Sequence, residues 1–376
     1  MHRSHAYFVP LGLILCFVGN GAASRGGRPE TGQRDASSLA RLLADYESGN
    51  LDVVRTRAAS ARVTGADVDA LRDLSARWRG NWQPRRAMFI LDLAIAASET
   101  ARTDSLAALL DHGLAYFASI PVGDSAGPIL EFERLWQRTA IAVLQKRLAW
   151  RLQEEYVAKL RKRSEQVKAI GPDPRFILAL AISRAQRCCT AAALARAATE
   201  ASNAIAFGPG VGPAAPRLST VSVETVLNGA IASFKAASAL DEIRAEATVR
   251  GALLQIYSGR PQAALESLDS IGDIRTDREL NYWRHLFRAR ALAHLNRHAD
   301  AEAAFRAALD AWPQAQSAGV GLALTLFRLS RSDVAAAVAN EVRTWPEDAF
   351  DPWWHYEQGD ARFLVPWQTQ LTAWIR

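Results

Sequence analysis

His294 and His298 stand four residues apart, the spacing at which two imidazoles on one helix face could share a metal ion. Between them lies Asn296, in a stretch (HLNRH) that reads as a tight turn, so the rings are expected on different helices, and no HExxH glutamate accompanies them. Asp111-His112 is one acid–imidazole dipeptide, too little to make a proton relay. Cys188-Cys189 could form only a strained vicinal bridge, and in AQRCCTAAALARA they read as two small packed residues. The glycines of GPGVGP follow no strand and precede no P-loop lysine; no GxSxG elbow and no carboxylate pair stand out. The sequence therefore assigns no catalytic residue, no metal ligand and no cofactor, and the expectation is a protein that is not an enzyme.

Composition narrows the partner classes. The 376 residues carry a net charge of +6, with 49% hydrophobic and 22% charged side chains, which suits a folded chain with a large core. Lysine supplies only Lys146, Lys159, Lys162, Lys168 and Lys235 of the 45 basic residues. An arginine excess beside abundant alanine is what a drift toward GC-rich codons produces, so no nucleic acid partner is inferred from it. Three cysteines cannot staple a chain of this length.

Residues 1–23 (MHRSHAYFVPLGLILCFVGNGAA) combine Arg3, an apolar run from Ala6 to Val18, and the small residues Gly21, Ala22 and Ala23, the anatomy of a cleavable secretory signal. Export to a periplasmic or extracellular space is expected. The alternatives to cleavage near Ala23 are an uncleaved anchor and a lipid anchor at Cys16, the latter disfavoured because Leu15 stands where a lipobox takes Gly, Ala or Ser. Residues 24–35 read as a flexible leader, and no later run reaches 18 apolar residues, so the mature chain is expected to be soluble with no transmembrane segment.

The elements that position everything else run at helical period. Leu39, Leu42, Leu43 and Tyr46 share one face, and Gly49-Asn50 stops that helix before the next begins. The pattern recurs over 67–78, 84–98 and 105–119, and one longer helical stretch is expected from Ile129 to about Val167. Its cluster of Lys159, Arg161, Lys162 and Arg163 reads as a solvated face balanced by Glu154 and Glu155, with a basic docking helix as the alternative.

Internal repetition is the strongest signal. Ala301, Phe305 and Ala308 are spaced four and three apart, and the same spacing recurs at Ala230, Phe234 and Ala237, at Ala264, Leu268 and Ile271, and at Ala335, Ala339 and Val342. Successive lead alanines are 34, 37 and 34 residues apart. Ala252, Ala289 and Ala323 stand twelve residues ahead of the last three lead alanines, where a small side chain lets two helices approach, and Gly259, Asn296 and Ser330 fill one equivalent turn position. On these residues the chain resembles the tetratricopeptide repeat family over about 244–348 and more loosely over 36–206.

The resemblance implies an all-α, TPR-like α-solenoid of antiparallel helix pairs. Its parts would be a 36–206 N-terminal helical-hairpin region, a 207–222 Gly/Pro-rich loop, 223–348 repeats and a 349–376 segment. The last of these, with Trp353, Trp354, Trp367 and Trp374, reads as a Trp-rich C-terminal cap, with an aromatic ligand platform as alternative. Its DPWW, followed by Tyr356 and Gly359-Asp360, is similar to the ends of secreted bacterial tetratricopeptide proteins. In that family the first helix of each pair lines a concave groove, which selects Arg250, Leu253 and Tyr257, then Trp283, Phe287, Arg290 and His294, then Leu324, Phe327 and Arg328. Arginine beside aromatic rings suits an acidic peptide or a terminal carboxylate. The Lys/Asn clamp of carboxylate-binding members is not reproduced. The function implied is an exported scaffold that binds a protein or peptide in this groove; the alternatives are an architectural component of an envelope assembly and a helical enzyme without a recognisable motif.

Overall fold

A computed structural model describes residues 36–51, 55, 65–100, 103–121, 126–167, 173–187, 223–346 and 349–376. Residues 1–35, Cys188-Cys189 and the 207–222 loop lie outside the described residues.

Turn chemistry sets the architecture. Gly49, Gly259, Asn296 and Ser330 all take left-handed backbone, at φ of +94°, +74°, +57° and +60°. Each ends one helix and redirects the chain into the next, so the turns read from the sequence fall where the helices reverse. The N-terminal helices are α1 (Ala36–Glu47), α2 (Gly65–Arg77), α3 (Pro84–Thr100), α4 (Thr103–Ala118), α5 (Gly127–Lys146), α6 (Trp150–Gln166) and α7 (174–187). Next come α8 (Val223–Ala237) and three hairpins: α9 (Arg244–Tyr257) with α10 (Pro261–Asp269), α11 (Arg278–His294) with α12 (His298–Ala311), and α13 (Gln316–Arg328) with α14 (Ser332–Thr344). The chain ends in the one-turn α15 (Trp353–Tyr356), a 3-10 turn over Gly359–Phe363 and α16 (Leu364–Ile375). No strand occurs among the described residues, and none of their helices is long and apolar enough to cross a membrane.

The stretch expected as one long helix is two. Leu148 sits at φ +53°, which ends α5 and starts α6. Leucine gives no warning of a left-handed turn, which is why periodicity ran straight through it. The basic cluster on α6 is the solvated face expected of it, with Lys159, Arg161 and Lys162 exposed and Arg163 half-buried, but its acids come from other helices: Arg163 pairs with Glu133 at 2.9 Å and Lys159 with Asp111 at 2.7 Å and 2.6 Å.

Packing follows the repeat register. Ala301, Phe305 and Ala308 are buried, as are Ala230, Phe234 and Ala237, and Ala264, Leu268 and Ile271. Gly321 of α13 meets the Phe305 ring so closely that an added Cβ would lie 2.3 Å from it, so the smallest side chain is required where those helices cross. In the last hairpin Ala335 is buried but Ala339 is exposed, because among the described residues no further helix pair stacks on α14.

Apolar clusters show how the halves are joined. One contains the buried faces of α1 to α6 together with Leu364, Trp367, Leu371 and Ile375 of α16. A second spans α9 to α14, and a third joins α7 to α8 and α9. The aromatic-rich C-terminus does cover apolar surface, as expected of it. The surface it covers is the inner wall of the repeats and the N-terminal core, rather than the outer face of α14.

Candidate partner-binding wall

The first helices of the three hairpins, α9, α11 and α13, form an inner wall, and residues 350–363 run back across it as a strap. The strap begins at Trp312, whose indole N–H donates to the Phe350 carbonyl at 2.8 Å. Asp351 is then buried and accepts from Tyr282 Oη at 2.8 Å, from the Ser317 N–H in the first turn of α13 at 2.7 Å, and from the Trp353 N–H at 2.8 Å. A carboxylate at a helix N-terminus meets unpaired N–H groups and the positive end of the helix dipole. Burial, and then the Asp351 carboxylate, hold the Tyr282 hydroxyl well above the ordinary phenol range, so it stays a donor.

Beyond Asp351 the strap presses its rings into the wall. Trp283 Nε1 donates to the Pro352 carbonyl at 2.9 Å; Phe287 meets Trp353 and Tyr356 edge-on at ring separations of 5.9 Å and 5.2 Å. Arg250 is buried between the rings of Trp283 and Tyr356, 4.8 Å from each centroid, and donates to the Tyr356 carbonyl.

A buried charge cluster locks the far end of the strap. Glu246 of α9 accepts from Arg250 at 3.0 Å, from Arg175 of α7 at 3.0 Å and from Arg362 of the strap at 2.9 Å. Arg362 also reaches Asp277 at 2.9 Å, and Asp277 caps α11 through the Leu280 N–H at 3.0 Å. Burial alone would raise the Glu246 pKa, but the guanidiniums of Arg362, Arg250 and Arg175 outweigh it and hold the carboxyl well below the usual range. Asp360, wholly buried, is pushed up to about 6 by burial, which Arg175 opposes and Glu246 reinforces. Gly359 has φ +54° and space for no side chain, because an added Cβ would lie 2.9 Å from Ile182 Cδ1 and 3.0 Å from the Gln145 amide. Gln145 accepts the Asp360 N–H.

The strap then delivers α16 to the N-terminal half. Gln368 donates to Asp92 at 2.8 Å, and Asp92 also accepts from Arg55 at 2.8 Å and Tyr46 at 2.6 Å. Arg55 reaches Thr372 Oγ1 at 2.9 Å, and Trp374 packs edge-on to Phe132 at 5.9 Å.

Against this geometry the ten residues selected from the sequence divide in two. Arg250, Leu253, Trp283 and Phe287 are buried, and all but Leu253 touch the strap directly. Tyr257, His294, Leu324, Phe327 and Arg328 are exposed, and Arg290 is half-buried over the Trp353 ring at 4.2 Å. The exposed set occupies the C-terminal ends of the inner helices, past the line where the strap crosses. His294 ends α11 and His298 begins α12, and among the described residues no three His, Cys, Asp or Glu side chains come together as a metal site. Partial burial, and then Arg290, push the His294 pKa below the ordinary imidazole value.

Sequence reasoning missed the residues that hold the strap: Tyr282, Asp351, Glu246, Asp360, Arg362 and Arg175. Asp351 and Asp360 bracket the aromatic run that drew attention, and two acids beside tryptophans in a segment expected to be covered were the available signal. No protein-family model matches the sequence, and no curated protein matches it.

Proposed function

We propose that this protein is an exported, non-catalytic scaffold of tetratricopeptide type that holds a protein partner on the open part of its inner wall. One observation carries the reading. The strap fills only the part of the wall nearest the N-terminal ends of α9, α11 and α13, with Arg290 at its border over Trp353, and leaves Tyr257, His294, Leu324, Phe327 and Arg328 exposed as a margin at the other end. The margin is a solenoid surface on rigid helices, with large apolar side chains beside arginine, the composition of interface cores. The repeat register and the left-handed turns at Gly259, Asn296 and Ser330 support the tetratricopeptide type, and the 1–23 segment supports export.

The strap itself supports the chemistry. It shows what the wall accepts: a carboxylate bound by N–H and hydroxyl donors, and aromatic rings laid against arginine. The test is to place a photo-crosslinking side chain at Leu324 on the wall and, separately, at Ala336 on the outer face of α14, and to map adducts in the native compartment. One protein should crosslink from 324 and not from 336, and the purified protein should lose binding when Leu324 and Phe327 are changed to serine with the melting curve preserved. Crosslinking equally from both positions, or binding unaffected by the two serines, would move the function off this wall.

A further inference from the structure

The repeat supplies its own control for the exposed margin. Register places Val320, Leu324 and Phe327 of α13 at the positions held in α9 by Val249, Leu253 and Ile256. In α9 those side chains are 0%, 1% and 3% exposed; in α13 they are 58%, 45% and 61% exposed. The difference is the next inner helix. α11 packs along α9, whereas among the described residues no helix stacks beyond α13, where the chain turns back through Asp351 into the strap. The three residues are spaced four and three apart, so they form one stripe along a helix, the pattern that a second helix meets with its own i, i+4, i+7 anchors.

Charge selects among possible helices. α13 carries no acidic residue, and its only charge is Arg328, which is exposed at its C-terminal end. By register Arg290 of α11 stands level with Leu324, and no carboxylate pairs with it among the described residues. Two copies of this chain meeting along α13 would set two apolar stripes together with no acid from either helix to meet Arg290. A helix bearing acids beside its apolar stripe would place them against Arg290.

We infer that α13 is the docking edge for an acidic amphipathic helix of another protein, which stacks on Val320, Leu324 and Phe327 as a further inner helix and sets its carboxylates against Arg290. This rests on the open wall being the binding surface, and it adds the secondary structure and charge of what binds. The docked helix continues an interface the fold already uses, that of α11 on α9, beside the strap that caps the start of α13 at Ser317.

The probes are a fluorescein-labelled peptide helix with leucines at i, i+4 and i+7 flanked by glutamates, and its counterpart with lysine for every glutamate. Each is titrated into the full chain by fluorescence anisotropy, with light scattering on the protein alone. The acidic helix should bind saturably, at least about tenfold more tightly than the lysine helix, and weaken at least about tenfold with Phe327→Ser or Leu324→Ser and about threefold with Arg290→Gln. The serines replace exposed side chains, so melting curves should not move. No saturable binding of the acidic helix, equal affinity for both peptides, or wild-type affinity in the serine variants would overturn the inference. A dimer dissolved by Phe327→Ser would also overturn it, by giving the edge to a second copy. If a partner crosslinks at 324 while the acidic helix fails to bind, the wall reading stands and the acidic helix falls.

Discussion

Replacing Glu246 with glutamine removes one negative charge from a site where three guanidiniums converge within 3.0 Å of its two oxygens. Glutamine keeps the shape but can accept only through one oxygen, so at least one guanidinium is left facing an amide N–H2. Removing one partner from a buried ion pair costs about 3–5 kcal/mol, because the remaining charge stays buried without compensation. At about 2 °C per kcal/mol for a chain of this size, the melting temperature should fall by about 6–10 °C. Differential scanning calorimetry at pH 7.5 reads it directly. Asp360→Asn is the contrast in the same cluster, since its carboxyl is raised by burial rather than lowered by its neighbours. The signs with pH are opposite. Glu246, with its folded pKa depressed, stabilises above its unfolded value near 4.5 and loses that contribution as pH falls. Asp360, raised from 3.8 to about 6, contributes below pH 3.8 and loses its contribution as pH rises through about 6. Asp360→Asn should therefore gain on the wild type between pH 4 and pH 7. Glu246→Gln melting within 2 °C of wild type, or Asp360→Asn falling steadily behind it over that pH range, would refute the argument that Glu246, rather than Asp360, supplies the negative charge the three arginines share.

Three further outcomes follow from the packing. Ala301→Glu puts a carboxylate at a fully buried helix contact and should cost at least about 3 kcal/mol, whereas Ala299→Glu, at an exposed position two residues away, should stay below about 0.5 kcal/mol; urea unfolding of both checks the repeat register. Leu148→Gly relieves a left-handed backbone at an exposed residue and should leave stability unchanged or raise it by up to about 1 kcal/mol in the same assay, against the usual penalty for introducing glycine. Arg55→Ala leaves Asp92 with Tyr46 and Gln368 but removes its one cation among the described residues, and limited proteolysis should then cut between Leu364 and Arg376 faster than in wild type.

The hairpins were legible because alanine spacing reports helix approach directly: a buried Ala301 or Ala264 follows from its period, and Gly259 and Asn296 announce their turns by type. Ser330 was legible only by alignment with them. Leu148 carries no such mark, and its turn went unseen. The ten residues chosen from the sequence do lie on α9, α11 and α13, yet their division into covered and open parts depends on where a distant segment lies. Nothing local in DPWWHYEQGD says that Asp351 will cap α13 while Asp360 sits against Arg175, because those pairings join residues 34 and 185 positions apart. The charge cluster was hidden for a related reason. Arginine is so frequent here that Arg175, Arg250 and Arg362 look like their neighbours until burial singles them out.

The docking of α16 into the N-terminal core has a consequence for the order of events during synthesis. Leu364, Trp367, Leu371 and Ile375 complete an apolar cluster whose other members are made some two hundred residues earlier, and Arg55 waits for Thr372, 317 positions on. As the ribosome releases the chain from its N-terminus, helices α1 to α6 can form and collapse, but the groove that takes α16 stays open until residues 364–375 have been made. Closing so long a loop is slow, and the exposed apolar groove is the surface a holding factor would engage in the interval. A nonsense mutation that removes α16 would therefore be felt some three hundred residues away, as an N-terminal half that never closes.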